Sequence, residues 1–324
     1  MIPVLLPEYE YVVMFLLIIL VVQLLKRRGV FNDSHQPVFD RLVIELALPA
    51  IVFASLASTR IPADWIVPAS ILIGAVLICL GVAFGICRAL SLPPATTGSV
   101  VILSAFGSTY TFAAPLISTA FGAQSAEMSF ATVMDTFGIV IPFFTIGVLV
   151  AGYFGTQAQG GDTSAASILK RFLTTPIFIA FLLGLIFSLL FSHLNLPGSS
   201  VFVDIFTGFF TILRHSLDLL VWIAIGLLIR PIRLRTLLPL LAVVIAIQMV
   251  LLPALAAGGA YATGLPVMER QVLVILAAMP AGAVAAVMAS RYGCDGKLAA
   301  TIVACTYIAS LVTIPAILLL MGGF

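Results

Sequence analysis

From Ile66 to Cys87 the chain passes without a charged residue and with a single hydroxyl, Ser70. A soluble helix has no need to be apolar on every face, whereas a hydrocarbon core about 30 Å thick demands about 20 such residues at 1.5 Å of rise each. Similar runs recur along the sequence, and the composition follows from them: 62% hydrophobic, 9% charged, mean hydropathy +1.25 over 324 residues. In lipid every backbone polar group needs a partner within the chain, which leaves helices and closed barrels. Barrel strands are alternating segments of about ten residues, so runs of this length predict an all-α membrane protein.

Windows of about 20 residues place ten spans, near 9–25, 39–58, 66–87, 95–120, 127–152, 173–192, 203–229, 237–260, 270–289 and 299–321. Glu8 and Glu10, with no Lys or Arg, precede the first apolar run, so it lacks the basic start of a cleaved signal peptide and reads as a spanning helix. Of the loop cations, Lys26, Arg27, Arg28, Arg88, Lys170, Arg171, Arg230, Arg233, Arg235, Arg291 and Lys297 fall on one side, and Arg60 and Arg270 on the other. The basic side is expected to be cytoplasmic and both termini non-cytoplasmic. Cys79, Cys87, Cys294 and Cys305 have neither the spacing nor the histidine neighbours of a metal site, so small buried side chains are expected. The net charge of +2 gives no sign of a nucleic-acid partner; the partner is the bilayer.

The polar stretch 153–172, rich in Gly, Ser, Thr and Gln, is expected to be a flexible cytoplasmic linker; it divides the chain into two halves, 1–152 and 173–324, of five spans each, and an odd number forces the second half to enter the membrane inverted. A shift of about 173 residues lays Arg41 and Glu45 over Arg214 and Asp218; a shift of 171 lays Gly122 over Gly293. Inverted repeats around a midplane site are a construction plan of secondary transporters, and Gly/Pro-interrupted helices in matching positions point to the site. The fourth span carries GSTYTFAAP, with Gly107 and Pro115, and the ninth carries MPAG, Met279, Pro280, Ala281 and Gly282. Glycine lets a helix leave its geometry and proline removes a backbone donor, so both spans are expected to break near the middle. The broken ends would point N–H groups and the positive dipole end at an anion, with Ser108, Thr109, Tyr110 and Thr111 adding hydroxyls. Simple kinks, with hydroxyls bonded back to their own helix, would use the same residues.

These residues resemble the auxin efflux carrier family, which includes PIN-like carriers and is related in fold to the bile acid/sodium symporter superfamily. The likeness runs through ALPAIVFASLA from Ala47, TPIFIAFLLGLIF from Thr175, IGLLI in the seventh span and the block from Ala277 to Leu320. The resemblance implies ten helices in two inverted five-helix repeats, with helices 1, 2, 6 and 7 as a scaffold and 3–5 and 8–10 as a transport domain. It implies that Pro115 and Pro280 mark the crossing of broken helices 4 and 9, that the transport domain moves in an elevator-like step, and that two copies can pair through the scaffold. Where many members carry asparagine, this chain has Ser108 and Thr109.

Intramembrane charges add further candidates, because a carboxylate inside a span costs about 2.5–3.5 kcal/mol and is normally paired or functional. Glu45 and Asp218 each have an arginine four residues earlier, Arg41 and Arg214, with His215 beside the second; intrahelical ion pairs are one reading. In the other reading, Glu45, Asp218 or His215 binds a coupling proton or sodium ion, and the planar fork of Arg214 holds a substrate carboxylate. Asp135 has no basic residue at helical spacing and is the strongest candidate for a coupling site. No motif of an intramembrane enzyme occurs, and no other cofactor is implied. The expectation is a carrier for a small organic anion (a carboxylate, a dicarboxylate such as malonate or malate, or an auxin-like weak acid) in a prokaryotic inner membrane. A channel or membrane sensor is the alternative.

Overall fold

The computed structural model describes residues 2–58, 65–193 and 201–321. Among them the chain is helical with no strand. Helix α1 (Ile2–Arg27) leads through a turn to α2 (Gln36–Arg41), which continues through a π-helical stretch, Leu42–Ala47, into α3 (Leu48–Ser58). Then come α4 (Ile66–Ala89), α5 (Pro94–Leu103), α6 (Thr109–Phe121) and α7 (Ala126–Met134). Two π-helical stretches, Asp135–Val140 and Phe143–Gly147, join α7 to α8 (Val148–Ala158). The second half contains α9 (Ala165–Leu173), α10 (Pro176–His193), α11 (Val201–Leu228) and α12 (Leu234–Val244), the last joined through Ile245–Leu251 to α13 (Leu252–Ala262). It ends with α14 (Val267–Ala277), α15 (Ala283–Tyr292) and α16 (Gly296–Leu320).

Six of the described helical segments are long and apolar enough to cross a membrane: Leu5–Arg27, Ile66–Ala89, Ala126–Ala158, Gly208–Leu228, Leu234–Ala262 and Gly296–Leu320. A seventh is supplied if α9 and α10, bent by 61° at their junction, count as one. The polar stretch 153–172 is more ordered than its composition predicts: α8 runs to Ala158 and α9 begins at Ala165. Ser164 explains the restart, its hydroxyl accepting from the Ser167 N–H as an N-cap. Leu169 and Leu173 are exposed on α9 beside Lys170 and Arg171, the composition of an interfacial helix.

The interrupted segments end alike. Gly122 closes α6 at φ 101° and Gly293 closes α15 at φ 90°, the region that favours glycine. A capping side chain follows each: Ser125 accepts from Met128 N–H to start α7, and Asp295 from Leu298 N–H to start α16.

Without a hydrophobic drive between helices in lipid, association depends on close packing at small residues. Gly226 of α11 sits against Val22 of α1, and Gly155 of α8 against the Tyr292 carbonyl at the end of α15. Polar contacts join the basic loops at one end of the bundle: Lys26 Nζ donates to the Leu227 carbonyl at 2.8 Å, Arg230 pairs with Asp33, and Arg291 pairs with Glu45 at 2.6 Å. A cation at a helix C-terminus is favoured by the exposed carbonyls there.

A methyl at Gly155 has no room beside the Tyr292 carbonyl, so Gly155→Ala should force α8 from α15 and cost about 1–3 kcal/mol. The expected result is a lower thermal midpoint in detergent, with Gly74→Ala, which meets nothing, as the neutral or stabilising control. Equal midpoints would refute the contact.

Candidate functional site

The gap between α5 and α6 and the gap between α14 and α15 meet face to face. Gly107 and Ala281 form an isolated antiparallel bridge, in which Ser108 N–H donates to the Pro280 carbonyl at 2.7 Å and Gly282 N–H to the Phe106 carbonyl at 2.9 Å. Each break thus satisfies two backbone groups of the other, and an open backbone group inside a membrane bundle would be costly. The approach requires glycine: a Cβ on Gly107 would lie 2.7 Å from Gln248 Nε2, 3.1 Å from the Met279 carbonyl and 3.2 Å from that of Pro280.

The crossing lines a cavity of about 820 Å³. Gly107 and Ser108 supply one wall, Gly282 to Ala285 the first turn of another, residues of α3 (Leu48, Ile51, Val52, Ser55) and of α11 (Leu217, Asp218) a third, and residues between Asp135 and Phe144 a fourth. Neither Ser108, which precedes α6, nor Gly282, which precedes α15, makes the usual capping bond, although the Tyr307 hydroxyl of α16 accepts from the Ala283 N–H in the first turn of α15. The first turn of an α-helix leaves N–H groups without intrahelical acceptors, so two positive dipole ends converge on this space. Ser108 Oγ accepts from Tyr307 Oη at 3.1 Å, which ties α6 to α16.

Of the sequence candidates, Ser108, Pro115, Gly282, Asp135 and Asp218 line the cavity. Met279, Pro280 and Ala281 are buried and build the crossing through their backbones. The side chains of Thr109, Tyr110, Thr111, Arg214 and His215 lie outside the described residues. Two expectations need correction. Pro115 does not mark the crossing: it lies inside α6, where the Ser118 and Thr119 hydroxyls donate to its carbonyl, and the break falls earlier, between Leu103 and Thr109. The glycine, free to approach a second backbone, decides the position. Glu45 does not pair with Arg41: its partner is Arg291 of α15, because the π-helical winding over Leu42–Ala47 changes the four-residue register between them. Both side chains of that pair are about 40% exposed, so it contributes about 0–1 kcal/mol.

Glu45, Asp135 and Gln248 each stand in a π-helical stretch: Leu42–Ala47, Asp135–Val140 and Ile245–Leu251. Asp135 is 5% exposed and its Thr136 neighbour bonds back to the Thr132 carbonyl. Gln248 was not singled out from the sequence. Its side chain is fully buried and its Nε2 donates to the Met279 carbonyl at 3.1 Å, bracing the ninth-span break from α12 and α13. The available signal was one amide in an apolar run from Leu237 to Ala260. Around the same crossing an aromatic cluster packs four elements together: Tyr11 and Phe15 of α1, Phe112 of α6, Trp222 of α11 and Tyr307 of α16, with centroids 4.4–5.7 Å apart.

Gly107→Ala should destabilise the protein by about 1–3 kcal/mol, as an overpacked contact does. Because the nearest atom belongs to Gln248, a Gln248→Ala background should recover part of that loss, with a coupling of about 1 kcal/mol in a double-mutant cycle of thermal unfolding. Strict additivity would remove Gln248 from the crossing.

Comparison with known proteins agrees with this architecture. A family model described as "Membrane transport protein" matches residues 8–318. An "Uncharacterized transporter" of Methanothermobacter thermautotrophicus is 26% identical over 311 residues, covering 94% of this chain and 96% of the relative. The chain therefore belongs to the membrane transport protein family, that of the auxin efflux carriers, and is a multi-pass membrane transporter.

Proposed function

We propose that this transporter is a secondary carrier for a small organic anion, a carboxylate or dicarboxylate of the size of malonate or malate, or an auxin-like weak acid. The observation that carries the proposal is the convergence of two helix starts, those of α6 and α15, on one 820 Å³ cavity. Helix starts recognise anions through N–H groups that need not be desolvated afresh for each substrate. The cavity is mostly apolar, with Phe106, Ile139, Phe143 and Leu48 around it, which suits an anion with a short carbon skeleton. Arg214, on α11 beside that cavity wall, is the proposed cationic partner of the substrate carboxylate.

Asp135 and Asp218 line the same space, so an anion entering it meets two carboxylates. Like charges at this range repel, and a coupling cation resolves the conflict: a proton or sodium ion bound by Asp135 or Asp218, with His215 nearby in sequence, lets substrate and ion enter as a near-neutral unit.

In the proposed architecture the chain has ten spans in two inverted repeats, 1–152 and 173–324. Helices α1, α2 with α3, α10 and α11 form the scaffold, and α4 to α8 and α12 to α16 the transport domain. The cavity lies between the crossing and the scaffold elements α3 and α11, where an elevator-like displacement would carry the site from one face to the other. The matching glycine closures at Gly122 and Gly293 support the repeat. The end that gathers Lys26, Arg230 and Arg291 is the proposed cytoplasmic face of a prokaryotic inner membrane, with both termini opposite. A homodimer through the scaffold follows from the family likeness.

Purified protein in liposomes preloaded with malonate should show saturable counterflow of labelled malonate or malate. Ohmic current without saturation would favour a channel and sink the carrier. Pro280→Ala, which introduces a backbone N–H at the crossing, should lower counterflow at least ~10-fold while the folded yield stays within about 1–2 kcal/mol of wild type. Wild-type kinetics in that variant would detach the crossing from transport. A thermal-shift screen of carboxylates with and without sodium should single out the substrate and its coupling ion, since a ligand at 100 times its Kd stabilises by about 2.7 kcal/mol.

A further inference from the structure

Glu8 of α1 lies away from the substrate cavity, and its burial is hard to explain by structure alone. It is 2% exposed, and neither carboxyl oxygen has a hydrogen-bond partner. Helix α1 packs there among α6, α11 and α16, with Leu5 and Val12 buried on either side of Glu8. A carboxyl in such a place is costly unless it is paired or carries a proton.

The polar side chain facing Glu8 is Ser310 of α16, fully buried. While its hydroxyl hydrogen is donated to the Tyr307 carbonyl, at 2.8 Å, Ser310 offers Glu8 lone pairs, which suit a carboxylic acid with a hydrogen to give; turned toward Glu8, the same hydroxyl would serve a carboxylate. Along the same face of α16, Thr306 bonds the Val303 carbonyl and Thr313 Oγ1 is buried without a partner. Thr306, Ser310 and Thr313 stand at i, i+4 and i+7, which makes a hydroxyl stripe on one side of an otherwise apolar helix.

The other titratable groups on the helices around α1 are Lys297, Cys305 and Tyr307 of α16 and Asp218 of α11. Asp204, Arg214 and His215 of α11 and Tyr110 of α6 have side chains outside the described residues. Among the described residues none of these groups bonds a Glu8 oxygen. Among the described residues no cluster of three His, Cys, Asp or Glu side chains exists to share a metal ion with it.

We propose that Glu8 is a proton-binding site of this transporter, loaded and unloaded through the α1–α16 interface along the hydroxyl stripe of Thr306, Ser310 and Thr313. The step is a simple transfer: a proton leaves water for a Glu8 oxygen, forming one O–H bond that is directed at Ser310 Oγ, and is later released to water. Because Glu8 is sealed in this structure, exchange requires α16 to move against α1. In that one respect the inference rests on the alternating-access carrier proposed above.

Two experiments separate the two ideas. Infrared difference spectra of the purified protein between acid and alkaline pH, without any substrate, should contain the carbonyl band of a protonated buried carboxyl that Glu8→Gln removes. Absence of such a band, or a band unmoved by pH, overturns the proton site whatever the protein carries. If Glu8→Gln does not fold, Ser310→Ala, which deletes the acceptor, must shift the same band in frequency, and an unshifted band overturns the assignment. Sodium stabilising wild type but not Glu8→Gln would replace the proton by a metal ion and overturn it as well. In liposomes, losing one coupled proton should cut malonate accumulation about tenfold per unit of inward pH gradient in Glu8→Gln, while exchange counterflow persists. Accumulation equal to wild type would overturn the proposal; failure of malonate to move in either protein would count against the carrier reading and leave the infrared result to decide Glu8.

Discussion

Two backbone hydrogen bonds, Ser108 N–H to the Pro280 carbonyl and Gly282 N–H to the Phe106 carbonyl, hold the centre of this protein together. Four peptide groups that leave helical geometry inside the bundle would otherwise each be an unsatisfied dipole, and lipid supplies no water to satisfy them. By crossing, the two interruptions pay each other's cost. The arrangement constrains the neighbours in turn: Gly107 must lack a side chain, Gln248 must brace the Met279 carbonyl, and Tyr307 must reach Ser108.

The same crossing creates the chemical asymmetry of the cavity. Helix starts contribute positive potential without charged side chains, while Asp135 and Asp218 bring two carboxyl groups to the same cavity. A site with both signs fixed in place suits a ligand that enters with a counter-charge, which is why coupling belongs to the proposed function. The π-helical windings at Glu45, Asp135 and Gln248 turn these polar side chains by a fraction of a turn relative to a regular helix.

The contacts around α1 show a second layer of organisation. Its lower half locks to α11 through Gln23, Lys26 and Val22, whose partners are the last carbonyls and Gly226 of that helix. Its upper half instead meets α6, α11 and α16 through the rings of Tyr11 and Phe15 and through Glu8.

Much of this was readable from residues. Apolar runs of about 20 residues require helices in lipid, and glycine beside proline in two such runs announces where helices break, so Gly107, Pro280 and Gly282 fell at the crossing as expected. The sequence also pointed to Asp135 as an acid without a basic residue at helical spacing. What it could not decide was any relation between helices. Whether Pro115 or Gly107 sits at the break depends on which residue meets a second backbone; Glu45 chose Arg291, 246 residues away, over Arg41. Glu8 looked like a polar flank of the first span and is buried, because α16 and α11 cover it. Local hydropathy determines that a segment enters the membrane; which of its faces meets lipid, a cavity or another helix is set by packing among segments distant in the chain, and that only the tertiary structure decides.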